Sequence, residues 1–128
     1  MRLLIDTHTF LWFAEDSPQL SPTARDLIIE AENEILLSTA SAWEIAIKVS
    51  TGKLTLAQPF AIFLPDQLRR NDIELLPVSM AHIQHIATLP FHHKDPFDRM
   101  IVAQSVVESI PLISIDAVLD SYGVKRLW

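Results

Sequence analysis

The sequence predicts an α/β domain with a mainly parallel central sheet of four to five strands, and three observations carry that prediction. Short continuous apolar runs such as Leu3-Leu4-Ile5, Ile35-Leu36-Leu37 and Leu112-Ile113 read as strands covered on both faces. Longer stretches of helical periodicity separate them, the alternation expected of right-handed crossover units. Glycine is confined to Gly52 and Gly123, which disfavours hairpin-rich β architectures and Gly-rich phosphate loops.

Each element follows from local pattern. Leu3 to Ile5 is the first strand, and Thr7 to Ala14 a nearly all-apolar helix containing Phe10, Leu11, Trp12 and Phe13. Ser21 followed by Pro22 is a helix start. That helix is expected to reach about Asn33, with Ala24, Leu27, Ile28 and Ala31 facing inward. Ile35 to Ser38 is the second strand. Ser41 is read as opening the next helix, through Ser50, with Gly52 stopping it. Pro59 to Arg70 aligns Phe60, Phe63, Leu64 and Leu68 on one helical face. Ile73 to Val78 is the third strand, interrupted by Pro77, and Met80 to Thr88 a short helix. Asp95-Pro96 begins a long helix ending near Ser109. Leu112 to Ile115 is the fourth strand, and Val124 to Leu127 a fifth at an edge.

At 128 residues and 49% hydrophobic, the chain suffices for one domain over residues 1–128 with a real core. It has no cysteine, which excludes disulfides, zinc–thiolate sites and thiol nucleophiles and fits a cytoplasmic setting. No apolar stretch approaches the ~20 residues of a membrane span. Arg2 and the short run ending at Asp6 read as a buried strand rather than a signal peptide. A net charge of −6 counts against a simple nucleic-acid-binding module, but less against a metal-dependent nuclease.

Four acids fall where strands hand over to helices: Asp6, Glu44, Asp98 and Asp116. In open parallel sheets ligands bind beyond the carboxyl ends of the strands. Each acid has a local alternative. Asp6 and Asp116 can cap the helices that follow them, Ser41-x-x-Glu44 is a capping box, Glu44 can pair with Lys48, and Asp98 suits the helix dipole. Asp95 is the N-cap of its helix. Caps have no need to converge, whereas a convergent acidic pocket suits Mg²⁺ or Mn²⁺, one or two ions. Metal-assisted phosphodiester cleavage is therefore the leading expectation.

The segments Leu3-Leu4-Ile5-Asp6-Thr7-His8, Leu11-Trp12, Trp43-Glu44-Ile45-Ala46-Ile47-Lys48, Asp95-Pro96-Phe97-Asp98-Arg99, Ala103-Gln104 and Ser114-Ile115-Asp116 together resemble PIN domains, and closely the VapC-type ribonuclease toxins. In this order and spacing the match is specific and spans the chain. The resemblance implies a three-layer sandwich of helices around the sheet and a Mg²⁺- or Mn²⁺-dependent endoribonuclease. It carries the family's acidic quartet onto Asp6, Glu44, Asp98 and Asp116, with Asp95 a cap able to reach a metal through water. It also implies a homodimer and a VapB-like antitoxin partner. Ser105 stands where a small apolar residue is usual, which touches packing more than chemistry.

Around the acids, Thr7, Ser41 and Ser114 are candidates to orient carboxylates or their waters. Arg99 and Lys48 are candidates to neutralise charge or contact RNA phosphate. His82 and His85 are expected to be solvated. His92-His93-Lys94 reads as an exposed loop or a weak basic rim, and His8 as a packed or outer-sphere residue. Two rival functions remain at this level. An aspartyl phosphatase or phospho-acceptor would use Asp6 as nucleophile, but His8 occupies the place of its usual second Asp. A non-catalytic PIN-like binding module would be marked by lost acids, and none is lost.

Overall fold

The computed structural model describes residues 1–128. It contains β1 (Arg2–Ile5), α1 (Thr7–Ala14), α2 (Pro22–Ile29), β2 (Glu34–Ser38), α3 (Thr39–Ser50) and α4 (Phe60–Arg70). There follow β3 (Ile73–Leu76), α5 (Met80–Ile86), α6 (Pro96–Glu108), β4 (Leu112–Ile113), a 3-10 helix (Ala117–Tyr122) and β5 (Arg126–Leu127). The five strands form one all-parallel sheet in the order β3-β2-β1-β4-β5.

That order determines the layers. The chain steps outward from β1 to β2 to β3, then returns past β1 to β4. Right-handed crossovers in opposite directions place their helices on opposite faces. The buried side chains divide accordingly. Leu3, Ile5, Ile35, Leu37 and Ile73 face Phe10, Ala24, Ile28, Ile45, Phe63 and Leu64 from α1 to α4. Leu4, Leu36, Leu76 and Leu112 face Ile101 and Val102 of α6 and Leu119. Alternate residues of β1 thus serve alternate layers, and each fully buried Leu or Ile contributes roughly 1.5–3 kcal/mol. No helix is long and apolar enough to cross a membrane.

Several elements differ from the sequence expectation. α2 stops at Ile29 rather than Asn33, because the Asn33 amide turns back to donate to the Leu27 carbonyl at 2.9 Å. Ala31 is consequently exposed, not inward. α3 begins two residues before Ser41: Ser38 is the N-cap, accepting from Ala40 N, and Ser41 is a fully buried interior residue. The Ser41–Glu44 capping box is therefore absent. β3 and β4 are shorter than their apolar runs. His82 is not solvated. It is buried, its Nδ1 accepts from Ser79 N, and its Nε2 lies 2.8 Å from Glu108 Oε1, joining α5 to α6.

Candidate active site

β1 is where the chain's path across the sheet reverses, so the crevice beyond the carboxyl ends of β1 and β4 is its switch point. Asp6 follows β1 directly, and Asp116 lies three residues beyond β4. Asp6 is buried and caps α1, Oδ1 accepting from Thr9 N at 2.9 Å, which leaves Oδ2 without a protein donor.

From the next residue Thr7 Oγ1 reaches α3, 2.7 Å from Glu44 Oε1 and 2.9 Å from Ser41 Oγ. Thr7 has one hydroxyl proton and Glu44 only accepts, so that proton goes to the carboxylate and Ser41 donates to Thr7. Lys48 Nζ holds the other oxygen, Oε2, at 3.0 Å. Glu44 is buried, and these charge-assisted bonds, each worth about 1.5–3 kcal/mol, hold its carboxylate in one orientation.

Across the crevice, His93, Asp98 and Asp116 present ligand atoms that all lie within 4.8 Å of one another. Asp116 Oδ1 accepts from Val118 N, while Oδ2 is 2.7 Å from His93 Nε2. The Ser114 hydroxyl accepts from Asp116 N at 3.1 Å and so positions the backbone that carries this acid. Tyr122 Oη accepts from the backbone N–H groups of His92 and His93, at 3.1 and 2.8 Å, and sits 3.3 Å from His93 Nδ1. Nε2 of His93 faces Asp116 Oδ2, so a proton on that nitrogen is donated to the carboxylate, while Nδ1 is left to Tyr122 Oη. The rings of His93 and Tyr122 stack with centroids 5.6 Å apart.

Asp98 has no hydrogen-bond donor of its own. Its pKa is raised from 3.8 to about 6, first by burial and then by the charge of Asp95, with His93 opposing and Glu44 and Asp6 adding. Asp6 and Glu44 lie outside the 4.8 Å set but inside the field that Asp98 experiences. Half-buried, unpaired and among like charges, this carboxyl is what a divalent cation would relieve. The donor set is rich in carboxylate oxygen, which suits a hard divalent ion.

The remaining candidates have other roles. Asp95 is the α6 N-cap, accepting from Phe97 N. Arg99 neither neutralises the acids nor faces solvent. It is 5% exposed and donates to Pro90 O at 2.8 Å and Leu89 O at 3.0 Å, clamping the segment before α6. His8 is exposed and leans on Trp12. His93 is the site residue that sequence reasoning placed only on a rim; its nearness to Asp95 was the available signal.

A PIN domain family model matches residues 3–125. Ribonuclease VapC16 of Mycobacterium tuberculosis (strain ATCC 25618 / H37Rv) is 46% identical over 61 residues, which is 48% of this chain and 43% of that protein. The match therefore spans less than half of VapC16's length. Among solved structures, VapBC2 from Rickettsia felis, bound to a DNA fragment from its promoter, aligns with a TM-score of 0.74 at 12% identity, over 99% of this chain and 98% of that one. VapBC-1 from nontypeable Haemophilus influenzae aligns with a TM-score of 0.67 at 14% identity, over 99% and 97%. FitAcB from Neisseria gonorrhoeae gives 0.64 at 17% identity, over 98% and 96%. At these identities the structural likeness is one of fold.

Proposed function

This chain belongs to the PIN domain family, and we propose that it is a metal-dependent endoribonuclease acting as the toxin of a toxin–antitoxin pair. Asp6, Glu44, Asp98 and Asp116 hold Mg²⁺ or Mn²⁺, one or two ions, with Asp95 in reach through water. The observation that carries this reading is Asp98: an unpaired carboxyl beside Asp116, in the field of Asp6, Glu44 and Asp95, with its pKa raised to about 6.

A bound divalent ion supplies Lewis-acid polarisation of the phosphodiester and a lowered pKa for the attacking water. The chain's own residues prepare the place. Thr7 and Lys48 fix both oxygens of Glu44. The Thr9 amide fixes one oxygen of Asp6 and leaves the other outward. His93 and the Val118 amide orient Asp116. Such orienting partners lower the reorganisation needed when charge develops. No histidine base is required. A phospho-acceptor role for Asp6 is disfavoured by its burial, with one oxygen committed to capping α1.

The substrate is RNA, and likeness to VapC16 and to VapBC complexes supports a VapB-like antitoxin partner; a homodimer and a cytoplasmic setting belong to the same reading. The test is end-mapping of total RNA incubated with the purified chain. Discrete new ends that vanish with EDTA and with Asp6→Asn are expected. Full metal-dependent cleavage by Asp6→Asn would reject the site.

A further inference from the structure

The cations of this acidic protein are unevenly employed. Arg2 pairs with Glu34, Arg25 with Asp16, Arg69 and Arg70 with Asp66, and Arg126 with Asp120. Arg99 is buried against backbone carbonyls. Three of the four lysines, Lys48, Lys53 and Lys94, instead line one groove of about 470 Å³ between α3 and the start of α6. Lys48 is held by Glu44, whereas Lys53 and Lys94 are exposed and have no carboxylate partner. The groove also contains Glu44, itself one of the four candidate ligands, and Asp95, so its acidic end adjoins the candidate metal site.

Aromatic surface adjoins the lysines. Phe97 and Pro96 line this groove and also an apolar one of about 520 Å³ that includes Trp43, Ile83 and Met100. Trp43 immediately precedes Glu44 and Phe97 immediately precedes Asp98. Their rings meet edge to face at 5.2 Å, and Trp43 is 64% exposed, unusual for a tryptophan with a core available. Cations beside an exposed indole backed by the half-buried Phe97, running out of an acidic mouth, match a single nucleic-acid strand: phosphates on ammonium groups, a base on the π face.

We propose that the Lys48–Lys53–Lys94 groove with the Trp43–Phe97 pair is the track for single-stranded RNA flanking the scissile bond, Lys53 and Lys94 each meeting a phosphate and Trp43 taking a base. This rests on the ribonuclease reading and deepens it. What it adds is the assignment of these residues, since stacking on Trp43 requires an unstacked base. It also explains how a chain of net charge −6 holds a polyanion: the cations that matter are local.

The test is fluorescence anisotropy of a labelled, unstructured single-stranded RNA across a salt series, in the 128-residue chain made cleavage-inactive by Asp98→Asn. Each phosphate contact to a single strand contributes a slope of ~0.7 in log affinity against log salt. Lys53→Ala with Lys94→Ala should flatten the slope by about 1.4, so that the loss between 50 and 200 mM salt is about sevenfold smaller. Lys125→Ala, on a surface away from the groove, should leave the slope unchanged. Trp43→Ala should weaken binding about ten- to a hundredfold at unchanged slope. In the active chain the lysine pair should raise KM and spare kcat. If the unaltered chain neither binds nor cleaves RNA, the ribonuclease reading fails and the track with it. If it does both and the lysine pair leaves slope and KM unchanged, the track alone is overturned, and the groove serves another occupant such as an acidic peptide.

Discussion

Replacing Asp98 with Asn should make the metal-free protein more stable at neutral pH while removing its activity. The carboxyl titrates at about 6 in the fold against an ordinary value of 3.8, chiefly through burial and the charge of Asp95. A raised carboxylate pKa means the folded state holds the proton more tightly than the unfolded chain. Its favourable contribution is complete below pH 3.8 and is lost as pH rises through 6. At ~1.4 kcal/mol per tenfold, the ionised side chain costs about 3 kcal/mol at pH 7.5; its partial exposure to solvent brings this to ~1–2 kcal/mol. Asn keeps the shape and discards the charge. For a domain of this size ~1 kcal/mol moves Tm by about 4 °C, so the variant should melt about 4–8 °C higher in EDTA. The gap should shrink progressively below pH 6 and nearly vanish by pH 4. Added Mn²⁺ should raise the Tm of the parent and not of the variant. Circular dichroism melts in EDTA at pH 7.5 and pH 4 decide the matter. A variant no more stable than the parent at pH 7.5 would refute the electrostatic account of this site.

Thr7→Val should remove the hydroxyl that donates to Glu44, lowering Mn²⁺ affinity roughly ten- to a hundredfold in calorimetric titration, as loss of an orienting partner does. Arg99→Ala should destabilise the fold by about 3 kcal/mol in urea unfolding by freeing the Leu89 and Pro90 carbonyls, yet leave the salt dependence of RNA binding unchanged. His82→Ala, which deletes a buried ring and its bond to Glu108, should cost about 2 kcal/mol without altering RNA cleavage by the folded protein. Light scattering should return a dimer at high protein concentration; a clean monomer would count against the homodimer.

What the sequence made legible was what depends on neighbours along the chain. The strands of the sheet showed as short apolar runs, and Asp6, Asp95 and Asp116 were readable as caps because a cap is a relation over two or three residues. Where local chemistry was degenerate the reading slipped. Ser38 and Ser41 are both competent caps, and the register of α3 was settled only by β2 ending in Ser38. Arg99 lies next to Asp98 in sequence, but neighbouring residues on a helix point about 100° apart, so one faces the crevice and the other the core. His93 was least legible. Its partners Asp116 and Tyr122 lie 23 and 29 residues further along, and only the packing of the loop before α6 against the 3-10 helix brings them together.

The proposed ribonuclease requires a divalent ion in the acidic mouth at the ends of β1 and β4. Titration of Mn²⁺ into the metal-free chain, followed by the loss of its free-ion electron paramagnetic resonance signal, tests that most directly. The account predicts saturable uptake of one or two ions, abolished in Asp98→Asn and competed by Mg²⁺. No uptake by the parent, or equal uptake by the variant, would contradict it.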